Sequence, residues 1–307
     1  MTGSLKEMHW DGPLELAEYL QPGSLEEALE MLEGYQGRAR VIAGGTDLIV
    51  QLRQGKERVE ALVDLTGLPG LDRIDLSGEM IELGGLVTHA QAAGSELILL
   101  RAGPLAQGCG SVGSPQIRNI ATVAGNLVSG QPAADAAIPL LALGAEVTIV
   151  SRHGERRVPL GEFFLGTGST ALDPGREIMT RISFPALGPF SGGAFLRMAR
   201  RRALTLPVLV CAVVVEVDET REVIRKAAIA AGPVAPVPFR ERGVEAELEG
   251  APISRETVEK AAQGLSASCN PRDSLLRGSC DYRQEMIKVL VRRGLLKALA
   301  QAGCILG

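Results

Sequence analysis

A chain of 307 residues is long for one hydrophobic core, and with 46% hydrophobic residues it has apolar material for two or three packed units. A formal charge of -4 and an aromatic content of 3% exclude a basic, base-stacking nucleic-acid surface. Phosphate on a bound small molecule stays admissible, because converging backbone N–H groups neutralise it without net positive charge.

The opening MTGSLKEMHW lacks the apolar segment and cleavage site of an exported protein. Ser24, Leu25, Glu26 and Glu27 form a capping box ahead of an apolar helical face of Ala28, Leu29 and Leu32, with Gly34 as the stop. An apolar run over 39–43 ends at Gly44 and Gly45, and a turn of helix is expected over 47–53. Strands are expected at 61–65 and 80–83, and Thr88 caps a short helix over 89–94.

A helix over 104–109 should end before Ser114 and Pro115, since a residue preceding proline is pushed from the helical region. Residues 117–127 then read as an irregular connection holding a second glycine turn. A helix over 135–143 capped by Gly144 follows, and strands at 146–151 and 157–160 flank a hairpin at His153 and Gly154.

FPALGPFSGG, around 185–193, has the proline and glycine content of a boundary between packed units. Beyond it, 207–217 and 223–231 read as adjacent strands. The longest apolar run, 206–215, is about half a membrane helix and reads as a buried strand. Three helices are expected at 237–248, 254–264 and 281–301. The last carries Met286, Val289, Leu290 and Leu295 inward and Arg283, Lys288, Arg292 and Arg293 outward.

The five cysteines, Cys109, Cys211, Cys269, Cys280 and Cys304, show no C-x-x-C and no metal-ligand spacing with the three histidines. They read as separate reduced thiols of a cytoplasmic protein. His9, His89 and His153 read as structural, and no acid or base catalyst is assigned. Gly166, Gly168 and Ala171 match a dinucleotide fingerprint, but Pro174 and Gly175 break the helix that it requires.

Two stretches carry the chemistry: IAGGTDL at 42–48 and IATVAGNLVSGQ at 120–131. Glycine lets successive N–H groups converge and lets a ligand approach the backbone. Two such turns facing each other would enclose a diphosphate, with Thr46, Thr122 and Asn126 as added donors. Asp47 is expected to tie its own turn through an Asx-type bond. Taken alone, both stretches read more readily as plain strand-end turns, and Asp135 as an acid favoured at a helix start.

Together with Gln116, Ile117, Arg118 and Asn119, the Pro132-Ala133-Ala134-Asp135 motif, Glu162-Phe163-Phe164, Glu177-Ile178, residues 195–201 and Tyr282-Arg283, these stretches resemble the flavin-binding subunits of the molybdenum hydroxylases. Xanthine dehydrogenase FAD subunits and carbon monoxide dehydrogenase medium subunits represent that family. The resemblance implies an α+β fold: a vanillyl-alcohol-oxidase-type FAD-binding domain over 1–186, with subdomains of about 1–60 and 61–186. A smaller domain over 187–307, with a three-stranded antiparallel sheet and helices, would follow it.

It also implies non-covalent FAD. Ala43, Gly44, Gly45, Thr46, Asp47 and Leu48, with Thr122, Val123, Ala124, Gly125 and Asn126, would line its diphosphate. Asp135 would accept from ribityl or ribose hydroxyls, with Ser129 reaching the same region. Ile178 and Arg197 would complete the set. Arg197 stands where the family commonly has a lysine, and Ala124 where it commonly has glycine, so an ordinary negative φ is expected at 124. Arg197 also opens the run 197–202, which reads either as a solvated strand edge or as part of a subunit contact.

The implied function is electron relay. A molybdenum cofactor on a large subunit and [2Fe-2S] clusters on a small subunit would feed FAD here, and NAD, oxygen or another acceptor would take the electrons. The alternatives are a self-contained FAD-dependent oxidase or reductase, and a non-catalytic nucleotide-binding protein.

Overall fold

The computed structural model describes residues 16–201, 204–275 and 277–304, so His9 and Arg202 lie outside the described residues. The first sheet is parallel: β1 (Glu18–Leu20), β2 (Ala39–Ile42) and β3 (Ala61–Asp64) lie in the order β1-β3-β2. Parallel pairing needs crossovers, supplied by α1 (Leu25–Gly34) and α2 (Leu48–Arg53). Ser24 caps α1 as expected, but Glu27 reaches back to the Gly23 N–H rather than to that of Ser24.

The central strand β3 is buried on both faces. Ala61 and Val63 pack with Ala28, Leu29 and Leu32 of α1, and Leu62 packs with Ile42 and with Leu48, Ile49 and Leu52 around α2. The sheet therefore takes in 61–64, past the expected division at 60/61.

β4 (Ile74–Ser77) and β5 (Met80–Gly84) come next. β4 escaped the sequence reading because it is a largely exposed edge strand whose apolar alternation runs for only four residues, Ile74 to Ser77. Six short helices follow: α3 (His89–Gly94), α4 (Glu96–Arg101), α5 (Gly103–Gly110), α6 (Pro115–Ile120), α7 (Val123–Val128) and α8 (Ala137–Ala142). Residues 117–127 are thus largely helical, correcting the expected irregular connection. Ser114 and Thr122 are N-caps, and Pro115 opens α6 at a position where its missing N–H costs nothing. α8 begins at Ala137, leaving Asp135 before the helix.

After β6 (Glu146–Ser151) and β7 (Gly154–Pro159), α9 (Leu160–Phe163) leads into a hairpin of β8 (Phe164–Gly166) and β9 (Ser169–Thr170). β10 (Ile178–Pro185) then inserts centrally, giving an antiparallel sheet in the order β4-β5-β10-β6-β7.

The last sheet is antiparallel, β11 (Ser191–Met198), β12 (Leu209–Val217), β13 (Ile224–Gly232) and β14 (Phe239–Arg240) in sequence order. It has four strands rather than three; the added β14 occupies residues expected to be helical. α10 (Arg242–Leu248), α11 (Arg255–Ser268) and α12 (Cys280–Gln301) follow.

Both faces of β12 are buried. Val210 and Ala212 join the core shared by the middle sheet and the helices α3, α4, α5, α7 and α8, while Cys211, Val213 and Val215 face α11 and α12. That double burial explains the unbroken apolar run. In α12 the expected outward Arg283 is buried: its two terminal nitrogens donate to the carbonyls of Arg272 and Pro233, while Nε has no partner among the described residues.

Candidate cofactor-binding site

A cavity of about 700 Å³ lies where the first sheet, the helices α6 and α7, the β8–β9 hairpin and β10 meet. Its floor begins at the end of β2. Gly44 has no room for a side chain: a Cβ there would run into the Ile120 carbonyl and lie 2.9 Å from the Cα of Ala121. This close approach brings the first glycine stretch against the second. At Gly45 φ is +65°, which turns the chain back toward α2.

The N–H groups of 44–48 make no hydrogen bond to the described residues, whereas the carbonyls of Gly45 and Asp47 accept from Ile49 and Gln51. A row of such donors is what an anionic group requires. Asp47 makes no cap bond, so the expected Asx tie is not formed; loss of water around its carboxyl raises its pKa.

The second stretch differs from the expected turn. Thr122 is the N-cap of α7, accepting from Gly125 N at 3.0 Å, and Gly125 is helical. Thr122 also bridges Thr88, the N-cap of α3, so the two helices start side by side. Ala124, inside α7, has the ordinary backbone expected of it.

Of the expected site residues, Ala43, Gly44, Gly45, Thr46, Asp47, Leu48, Thr122, Ala124, Gly125, Asn126, Ser129 and Ile178 line the cavity together. Three do not. Val123 is fully buried and donates to the Val87 carbonyl. Asp135 and Arg197 bond each other, Nε to Oδ1 at 2.9 Å, outside the cavity wall. The carboxylate expected to meet cofactor hydroxyls therefore has a guanidinium as its partner. Burial pushes the Asp135 carboxyl up to about 6 against the pull of Arg197, which leaves it ionised at neutral pH.

Sequence reasoning missed several wall residues. Gly168, Ser169 and Thr170 contribute through the β8–β9 hairpin, which is the actual structure of the rejected fingerprint. Lys56 and Arg40, the latter ion-paired with Glu57, also line the cavity, and His89 lies in the wall at the start of α3. The one available signal for His89 was its place directly after the Thr88 cap.

A dinucleotide-sized anionic group fits this arrangement. The volume falls in the upper part of the roughly 300–1,000 Å³ typical of small-molecule sites. The donor row of 44–48 suits a diphosphate, and the buried Asn126 Oδ1 has no protein partner.

Comparison with known proteins gives the same answer. Residues 14–187 match the family model described as the FAD binding domain in molybdopterin dehydrogenase, and 194–298 match the carbon monoxide dehydrogenase flavoprotein C-terminal domain. The chain is 30% identical to the carbon monoxide dehydrogenase medium chain of Hydrogenophaga pseudoflava, covering 92% of this chain and 97% of that one. It is 29% identical to a xanthine dehydrogenase FAD-binding subunit of Escherichia coli O157:H7, over 94% and 98% of the two chains.

Among solved structures, a chain of the Hydrogenophaga pseudoflava carbon monoxide dehydrogenase lacking the Mo-pyranopterin moiety superposes with a TM-score of 0.87 at 30% identity, over 92% and 97% of the two chains. A chain of quinoline 2-oxidoreductase from Pseudomonas putida 86 gives 0.85 at 27%, over 93% and 97%. With its FAD-domain match spanning more than half its length, the chain belongs to the FAD-binding, or medium, subunits of the molybdenum hydroxylase family.

Proposed function

We propose that this chain is the electron-relay subunit of a multi-subunit dehydrogenase, carrying non-covalent FAD between [2Fe-2S] clusters on a small subunit and a terminal acceptor such as NAD or oxygen. A large subunit would hold the molybdenum cofactor and the substrate, and the assembly would work in the cytoplasm. The row of N–H groups at 44–48 supports the reading, because these residues line the cavity and the donors are free of described partners, as a diphosphate cradle requires. Ala43, Gly44, Gly45, Thr46, Asp47, Leu48, Thr122, Ala124, Gly125, Asn126, Ser129 and Ile178 would hold the cofactor. When bound, FAD supplies the one- and two-electron chemistry of the relay.

Relatives of nearly equal identity are named for xanthine and for carbon monoxide, which suits a subunit that does not itself select the substrate. Among the described residues no group of three or more His, Cys, Asp or Glu could hold a metal ion, so the reading assigns the metal centres to partners. A division near 186/187 accompanies it, since β10 ends at Pro185 and β11 opens at Ser191.

The test is to fold the full chain with FAD, pass it through gel filtration and add possible reductants. A yellow protein, bleached by substrate only when the iron-sulfur and molybdenum subunits are present, is the expected result. A colourless protein overturns the cofactor assignment. Bleaching by a small organic substrate with the chain alone overturns the relay in favour of a self-contained oxidase.

A further inference from the structure

His89 is 1% exposed, and it lies in the wall of the cavity. Its backbone is fully committed to structure: the N–H donates to Ala121, and Thr88 before it caps α3 through Gln91. Its side chain is not. Nδ1 is buried without a partner, and no hydrogen bond joins the imidazole to any described residue. A buried polar ring in that condition calls for an explanation, because an unmade hydrogen bond forfeits the water the group gave up.

The same wall holds a second orphan, Asn126 Oδ1. The two residues stand near the starts of α3 and α7, whose N-caps Thr88 and Thr122 are bridged. Two buried, unpaired polar atoms on adjacent helices, both on residues that line one cavity, point to a shared ligand rather than to two separate packing defects.

We propose that His89 is a cofactor-binding residue, its imidazole hydrogen-bonding the FAD held in this cavity beside Asn126. The inference rests on the FAD reading above and adds a contact to it. The ring is neutral: burial, with Arg118 nearby, lowers its pKa to about 4. A neutral imidazole offers one donor and one acceptor, so it selects hydrogen-bonding geometry rather than adding charge to an anion site.

The experiment uses the full chain. FAD affinity is read by quenching of flavin fluorescence, thermal midpoints are read without and with FAD, and imidazole ¹⁵N spectra are taken in both states. Only three histidines are present, so the variant assigns the His89 signals. Binding should shift the His89 nitrogens. His89→Leu should weaken FAD roughly three- to tenfold, the worth of one neutral hydrogen bond. It should also leave the FAD-free midpoint unchanged or raised, since an orphaned polar group is removed. His89→Asn, whose amide reaches the position of Nδ1, should recover part of the affinity.

Unshifted nitrogens on FAD binding, or wild-type affinity in His89→Leu, overturn the inference while leaving the FAD reading intact. Wild-type chain that retains no FAD overturns that reading itself. Should His89→Leu fail to fold, the wild-type ¹⁵N spectra decide.

Discussion

Asp135 and Arg197, separated by 62 residues in sequence, form a nearly buried ion pair that joins the loop before α8 to β11. The guanidinium does two things at once. Nε donates to Asp135 Oδ1 at 2.9 Å, and a terminal nitrogen donates to the Thr205 carbonyl at 2.5 Å, tying down the connection that follows β11. A planar fork makes both bonds without rearrangement, whereas a lysine ammonium, a single point of charge, would hold the two acceptors less well.

Arg197→Met should therefore destabilise the protein by about 3–5 kcal/mol, because it strands a buried carboxylate. Arg197→Lys should cost less, and the double variant Asp135→Leu/Arg197→Met should recover much of the loss. Denaturant titration of the four proteins gives the coupling. Additive single-variant costs would show that the pair does not act as a unit.

Gly44 and Ala124 make a contrast among the proposed cofactor residues. Gly44→Ala forces a methyl group against the backbone of Ile120 and Ala121 and should separate the two stretches, abolishing FAD retention on gel filtration. Ala124→Gly changes a helical residue with ordinary dihedrals, so it should cost about 1 kcal/mol of stability and leave the retained flavin near wild type.

Arg283 tests whether the buried face of α12 needs its charge. Arg283→Leu leaves the carbonyls of Pro233 and Arg272 without this donor and should cost about 3 kcal/mol in guanidinium unfolding. Arg293→Leu, at an exposed position on the same helix, should stay within about 0.5 kcal/mol.

The pH dependence divides between two buried groups of opposite sign. The folded pKa of His89, about 4, lies below its ordinary 6.5, so the unfolded chain binds the extra proton between those values. The resulting penalty on the fold is absent above about pH 6.5 and grows to about 3 kcal/mol as pH falls toward 4. Asp135 is raised from 3.8 to about 6, so the folded chain binds the extra proton and stability falls as pH rises through that window. The two slopes oppose each other in the wild type. His89→Leu should expose a fall in stability from about pH 4 to 6, and Asp135→Asn a rise from about pH 4 to 6.5. Unfolding curves across that range check both.

Local rules carried much of the fold. Ser24 and Thr88 cap their helices because a cap, the backbone N–H that donates to it and the following apolar face all lie within a few residues. The paired strands β12 and β13 were legible because nine residues of each strand carry a strong apolar pattern. The site was legible in outline, through small residues at strand and helix starts and the ordered motifs of a known family.

Tertiary structure decided the partners. Asp135 meets Arg197 rather than the cavity; Arg283 turns inward to two carbonyls. Glu245 sits buried, accepting from Ile229 N at 2.8 Å and Arg240 Nε at 2.7 Å. His89 lies in the wall of a cavity lined by residues from Arg40 to Met179. Sequence by itself determined where helices and strands begin and which faces are apolar, because those depend on neighbours within about one turn or one strand pair. Which charge is buried, and against what, depends on groups brought together only when the sheets and helices pack, and no short window of residues contains both members of such a pair.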